Sequence, residues 1–242
     1  MSQVRWSRLP ALAAAPALVA LAVAGCSAGG SASAPASHPA SSAAASTPAA
    51  AGYTATQLRA ALLTKINGKT PAAPVEAGQY GSLTEGKATK NSMTGVTVKP
   101  AACAQTTVTG FNSPSFANVP ATVSTFKVGS NGVSEVLMSP SSATAALALK
   151  NQIPANCARY TAVVKGKTFV YTVSERTVSH LAQDARAMNI EATGSESINV
   201  WSVVYRASDF VGAVTIVGPN ATATVATTLA AQAYAHAAKT LH

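Results

Sequence analysis

Cys26 is the one side chain in this 242-residue sequence whose neighbours dictate its chemistry. It ends the run Leu21-Ala22-Val23-Ala24-Gly25-Cys26, after basic Arg5 and Arg8 and an apolar stretch of the length of a secretory leader core. That arrangement looks like a bacterial lipobox. In that reading the thiol would take a diacylglyceryl group through a thioether, the chain would be cut after Gly25, and Cys26 would become the mature N-terminus. Two fatty chains such as palmitate, at about 0.8 kcal/mol per buried methylene, anchor durably where one chain does not. The uncharged run falls short of the roughly 20 residues a spanning helix needs, and Pro10 and Pro16 interrupt it. Arg5 and Arg8 are not adjacent, which favours the general secretion route over the twin-arginine one. The expected location is the outer face of the cell membrane.

With Cys26 lipidated, Cys103 and Cys157 remain, in an oxidising compartment. A disulfide between them closes a loop worth roughly 4 kcal/mol by loop-closure entropy. Two cysteines without a nearby histidine pair do not make a metal site, and none is expected.

Other chemistry is sparse. Gly68-Lys69-Thr70 and Gly166-Lys167-Thr168 end like phosphate loops, but Leu63 and Thr161 stand where the leading glycine is required. No serine has the glycine flanks of a nucleophile elbow. His180 and Asp184 would share a face if their segment were helical, and with so many serines a Ser-His-Asp set is easily imagined. A surface hydrogen bond or turn is the plainer reading. His236 falls near the inward face of a C-terminal helix. The acids are dispersed, with no paired carboxylates and no metal-ligand spacing. The expectation is no catalytic residue, no cofactor and no enzyme activity.

Phe169, Tyr171, Trp201 and Tyr205, with Phe210, lie on predicted strands. Two readings stay open for them: the lining of an apolar cleft for a small or lipid-like ligand, or the sheet's ordinary contact with its helices.

These residues are positioned by one domain's worth of chain. Residues 1–25 form the leader and 26–52 a tether of Ala, Ser, Pro, Gly and Thr too poor in apolar groups to order itself. A flexible chain of about 25 residues typically spans on the order of 25–30 Å. Residues 53–242 form the folded domain. Lys and Arg outnumber Asp and Glu by 17 to 8, and loss of Arg5 and Arg8 leaves 15 against 8, a net of +7. The cations are scattered. Outside the membrane they meet headgroups and wall polymers, and nucleic acid is not an expected partner.

Periodicity predicts a helix over Thr54–Ile66, stopped by Asn67-Gly68, then an irregular stretch to about Lys99. Hairpins are predicted at Ala121–Val128/Val133–Met138, Tyr160–Val164/Thr168–Ser174 and Ile198–Arg206/Phe210–Val217. A helix follows Pro140-Ser141-Ser142, Val178–Ala187 is ambiguous before a strand at Ala187–Ala192, and a last helix runs over Ala221–Leu241 with Val225, Leu229, Ala233 and Ala237 inward. Hairpin-length connections forbid parallel neighbours, so the class is α+β: a twisted antiparallel sheet with helices packed on it.

Three features together carry a family resemblance: Val98-Lys99-Pro100-Ala101-Ala102-Cys103 before the first hairpin, Ser141–Lys150 leading to Cys157, and a Val-rich hairpin followed by an Ala-rich helix. Ala182-Gln183-Asp184-Ala185-Arg186 adds a turn before a strand. In these the chain resembles actinobacterial secreted lipoproteins related to the PknH-type receptor-kinase sensor domain. The resemblance implies an α+β domain with a groove for an unidentified ligand, and two disulfides where this sequence has one. No kinase domain is present, so sensing would need an envelope protein partner. The expected function is a membrane-anchored, non-enzymatic binding or sensing lipoprotein. The alternative is a structural or interaction lipoprotein docking on an envelope complex or anionic wall polymer.

Overall fold

A computed structural model describes residues 52–106, 109–150, 153–194 and 197–241. The leader, Cys26 and most of the tether lie outside the described residues. The described chain runs α1 (Ala55–Ala60), β1 (Glu76–Gln79), α2 (Thr84–Asn91), β2 (Val96–Lys99), β3 (Pro120–Val128), β4 (Asn131–Met138), α3 (Ser142–Leu149), β5 (Arg159–Val164), β6 (Lys167–Thr177), β7 (Asp184–Thr193), β8 (Ile198–Arg206), β9 (Val211–Val217) and α4 (Ala223–Thr240). This is an α+β fold with one open nine-stranded sheet, in the order β1-β3-β4-β9-β8-β7-β6-β5-β2. Every neighbouring pair is antiparallel. After β4 the chain crosses by way of α3 to β5. It then meanders back through β6, β7 and β8 until β9 fills the place beside β4.

The hairpins form where turn chemistry and alternation coincide. Lys165 and Gly166, at φ +50° and +77°, make the two-residue turn between β5 and β6, the left-handed pair that matches strand twist. Strands β8 and β9 sit centrally, so both of their faces are covered. One face, with Val203, Tyr205, Val214 and Ile216, packs under α1 and α4. The other, with Val204, Val211 and Ala213, packs against Ala145 and Ala148 of α3 and the Phe111/Phe116 loop. A third cluster, around Val98, Tyr160, Val173 and Met188, closes on Cys103 and Cys157.

Three sequence expectations need correction. Helix α1 stops at Ala60, well before Ile66, although its capping box of Thr54 and Gln57 is in place. The Leu63 N–H donates to Glu135 Oε2 on β4 at 3.0 Å, an acceptor 72 residues away that replaces a helical carbonyl. The stretch before Lys99 is not irregular throughout. It holds β1, β2 and α2, whose Thr-Glu-Gly-Lys-Ala-Thr-Lys-Asn sequence has no apolar stripe to find. In α4 the inward stripe is Ala226, Leu229, Ala230, Ala233 and Ala237, while Val225 is 41% exposed. A strict four-residue ladder drifts around a helix of about 100° per residue, which leaves Val225 about 80° from Ala233.

Candidate functional site

A cleft of about 790 Å³ lies between the C-terminal turn of α3 and the 178–183 loop that joins β6 to β7. Helix α3 begins under its Ser141 cap and offers Ala146, Leu149 and Lys150 to one wall. Glu175 and Arg176 of β6, Asp184 and Arg186 of β7 and Arg206 of β8 supply much of the rest. The loop is held at both ends, by Val178 N–H to Ala185 O at 3.0 Å and Gln183 N–H to Arg206 O at 2.9 Å. Between these ties His180 and Ala182 take φ values of +63° and +56°. Left-handed backbone is costly for a residue with a β-carbon, and such positions gather where a loop shape is used. A cavity of about 270 Å³ shares Gln183 and Arg206 with the cleft and reaches Ser142 at the start of α3.

The electrostatics rest on two guanidinium groups. Arg186 is 96% buried, its side chain being 4% exposed, and its Nε donates to the Ala148 carbonyl at 2.7 Å. There the cation meets the negative end of α3. Its Nη1 stands 3.8 Å from Glu175 Oε1, and among the described residues neither Nη nitrogen has a hydrogen-bond partner. Burial lowers the guanidinium pKa below its usual value, and the Glu175 charge partly opposes that shift. Arg206 gives one Nη2 bond to Asp184, while its Nε is buried without an acceptor. The site therefore holds N–H donors that no acceptor among the described residues meets.

The residues singled out from the sequence are dispersed across the fold. His180, Asp184 and Ser179 all border the cleft, but the Asp184 carboxylate is turned to Arg206. His236 is half-buried on α4, and its carbonyl accepts from Thr240. Phe169, Tyr171, Trp201 and Tyr205 do not line the cleft. Strand alternation puts Tyr171 in the disulfide cluster, stacked on Tyr160 with centroids 5.1 Å apart. Half-buried Phe169 lies two residues before Tyr171, so it points to the same face. Trp201 and Tyr205 point to the opposite face. Tyr205 is wholly buried against Phe210 and Tyr234, and Trp201 is half-buried beneath Arg176, whose guanidinium carbon lies 5.2 Å from the ring centroid. Cys103 and Cys157 are bonded, with Cα atoms 5.3 Å apart, and tie the turn after β2 to the start of β5.

Sequence reasoning missed Arg186, Arg206 and the end of α3 as one site. The signal within reach was the arginine two residues after Asp184, in a segment whose periodicity fitted neither helix nor strand.

No protein-family model and no curated protein matches the chain. Among solved structures, the extracellular domain of PknH from Mycobacterium tuberculosis matches with a TM-score of 0.51 at 14% identity, over 78% of this chain and 98% of that one. An uncharacterised protein of Mycobacterium smegmatis, the Rv0999 ortholog, matches 60% of this chain and 77% of its own, at 14% identity and a TM-score of 0.41. At such identity the likeness to the first is one of architecture: this chain has the fold of the PknH extracellular domain.

Proposed function

We propose that this protein is an extracytoplasmic lipoprotein, anchored through Cys26, whose domain binds a small ligand without transforming it. The observation that carries the reading is the cleft of about 790 Å³ beside α3. That volume is in the range of sites that take small organic molecules, and its walls combine Ala146, Leu149 and Leu181 with the charged groups of Lys150, Glu175, Asp184, Arg186 and Arg206. The lipobox, the tether, the disulfide and the fold shared with an extracellular domain all support a location outside the membrane. A sensing role would pass through a protein partner in the envelope.

The test is N-phenylnaphthylamine, a neutral apolar dye that brightens in a water-poor site. It should bind the wild-type chain, and Ala146→Trp, which fills the cleft from α3, should abolish binding while the protein melts as before. Dye that ignores Ala146→Trp, or does not bind at all, contradicts the reading.

A further inference from the structure

The polar groups of the cleft are unbalanced, and the imbalance says what kind of ligand fits. Among the described residues, three nitrogen donors of its lining are buried without an acceptor: Arg186 Nη1, Arg186 Nη2 and Arg206 Nε. Buried polar groups are nearly always paired, and an unpaired one keeps its full desolvation cost. The acids at hand do not meet the demand. Glu175 Oε1 remains 3.8 Å from Arg186 Nη1, and Asp184 is engaged with Arg206 Nη2. Lys150 adds a further positive charge at the end of α3. Apolar groups, including Leu149, Leu181 and Ala185, make up much of the remaining wall.

We propose that the cleft takes an organic anion: an apolar body against α3 and the 178–183 loop, with a carboxylate or phosphate-type oxyanion head accepting from Arg186 and Arg206. A guanidinium fork matches such a head bidentately, and a charged acceptor strengthens each bond. This rests on the cleft being a ligand site, and it adds the chemistry of what enters. A neutral ligand leaves the three donors unpaired. Among the described residues, four cations line the cleft, Lys150, Arg176, Arg186 and Arg206, against the two acids Glu175 and Asp184, both already paired with arginine, so an anion is favoured over a cation.

The experiment pairs two dyes of nearly the same shape on the full chain: anilinonaphthalene sulfonate, which carries an anionic head, and neutral N-phenylnaphthylamine. The sulfonate should bind roughly tenfold or more tighter than the neutral dye, and Arg186→Gln should reduce the ratio of the two affinities toward one. Competition on the wild-type protein covers the case in which Arg186→Gln does not fold. Decanoate and decyl phosphate should each displace the sulfonate dye at least about tenfold better than decanol, and the better of the two identifies carboxylate or phosphate as the head. Equal affinity for the two dyes with equal displacement by all three decyl compounds overturns the anion and leaves the ligand site standing. Failure of both dyes to bind removes the site itself, and the proposal with it.

Discussion

The ring of Tyr205 fills the space that a side chain on Gly212 would need. The two residues are register partners on β8 and β9, and a β-carbon on Gly212 would lie 2.2 Å from the Tyr205 Cζ and 2.4 Å from its Oη. A central strand tolerates glycine where a large neighbour covers it. Gly212→Ala is therefore expected to cost about 1–3 kcal/mol in urea unfolding, through displacement of a ring that also packs on Phe210 and Tyr234.

The Tyr205 hydroxyl has no hydrogen-bond partner, and the Glu135 charge adds to burial in holding its pKa well above the usual value. Tyr205→Phe keeps the ring over Gly212 and removes only that buried oxygen. Its expected effect on unfolding free energy is neutral to slightly stabilising, since deletion of an unsatisfied polar group removes a desolvation cost. A loss as large as that of Gly212→Ala would mean the hydroxyl has a structural role.

Glu135 makes stability depend on pH. Burial raises its pKa from 4.5 to about 7, against the opposing hydrogen bond from Leu63 N–H. The native carboxyl thus keeps its proton while the unfolded chain gives it up, so stability is full below pH 4.5, falls as pH rises toward 7 and is level above. The span corresponds to about 3 kcal/mol. Glu135→Gln retains an acceptor for Leu63. Its unfolding free energy should match the wild type at pH 4 and exceed it by about 2–3 kcal/mol at pH 8. A constant difference between the two proteins would show that Glu135 does not titrate in this window.

Much of the sheet was legible because its signals are local. Lys165-Gly166 sets a turn, and the alternation of Trp201, Val203 and Tyr205 sets a face. The first helix was misjudged because what ends it, Glu135, is distant in sequence, and α4 was misphased because its inward residues are mostly alanine. The candidate site was harder still. It combines the end of α3, the 175–186 segment and Arg206, and neither His180 nor Ala182 announces its left-handed backbone. The four aromatic residues chosen from the sequence have the bulk and polarity of ligand contacts, yet residue type does not distinguish a strand under α4 from one beside a cleft.

Cys103 and Cys157 join segments 54 positions apart. Loop-closure entropy gives the link a value of roughly 4 kcal/mol, commonly less in practice. Reduction under native conditions should lower the melting temperature by several degrees, and non-reducing peptide maps of protein secreted by its host should show the two cysteines linked.

Replacement of Cys26 tests the proposed anchor. Cys26→Ser should leave the chain unprocessed or move it from the membrane fraction to the soluble one. Unchanged cleavage and unchanged membrane association would contradict the lipobox.

The central claim is that the cleft beside α3 holds a ligand, and native mass spectrometry of the full chain released from its own host's membranes tests it most directly. The account predicts a bound small acidic molecule on the wild-type protein that is absent from Ala146→Trp and diminished in Arg186→Gln. A ligand-free mass for the wild type, or the same adduct on all three proteins, would contradict it.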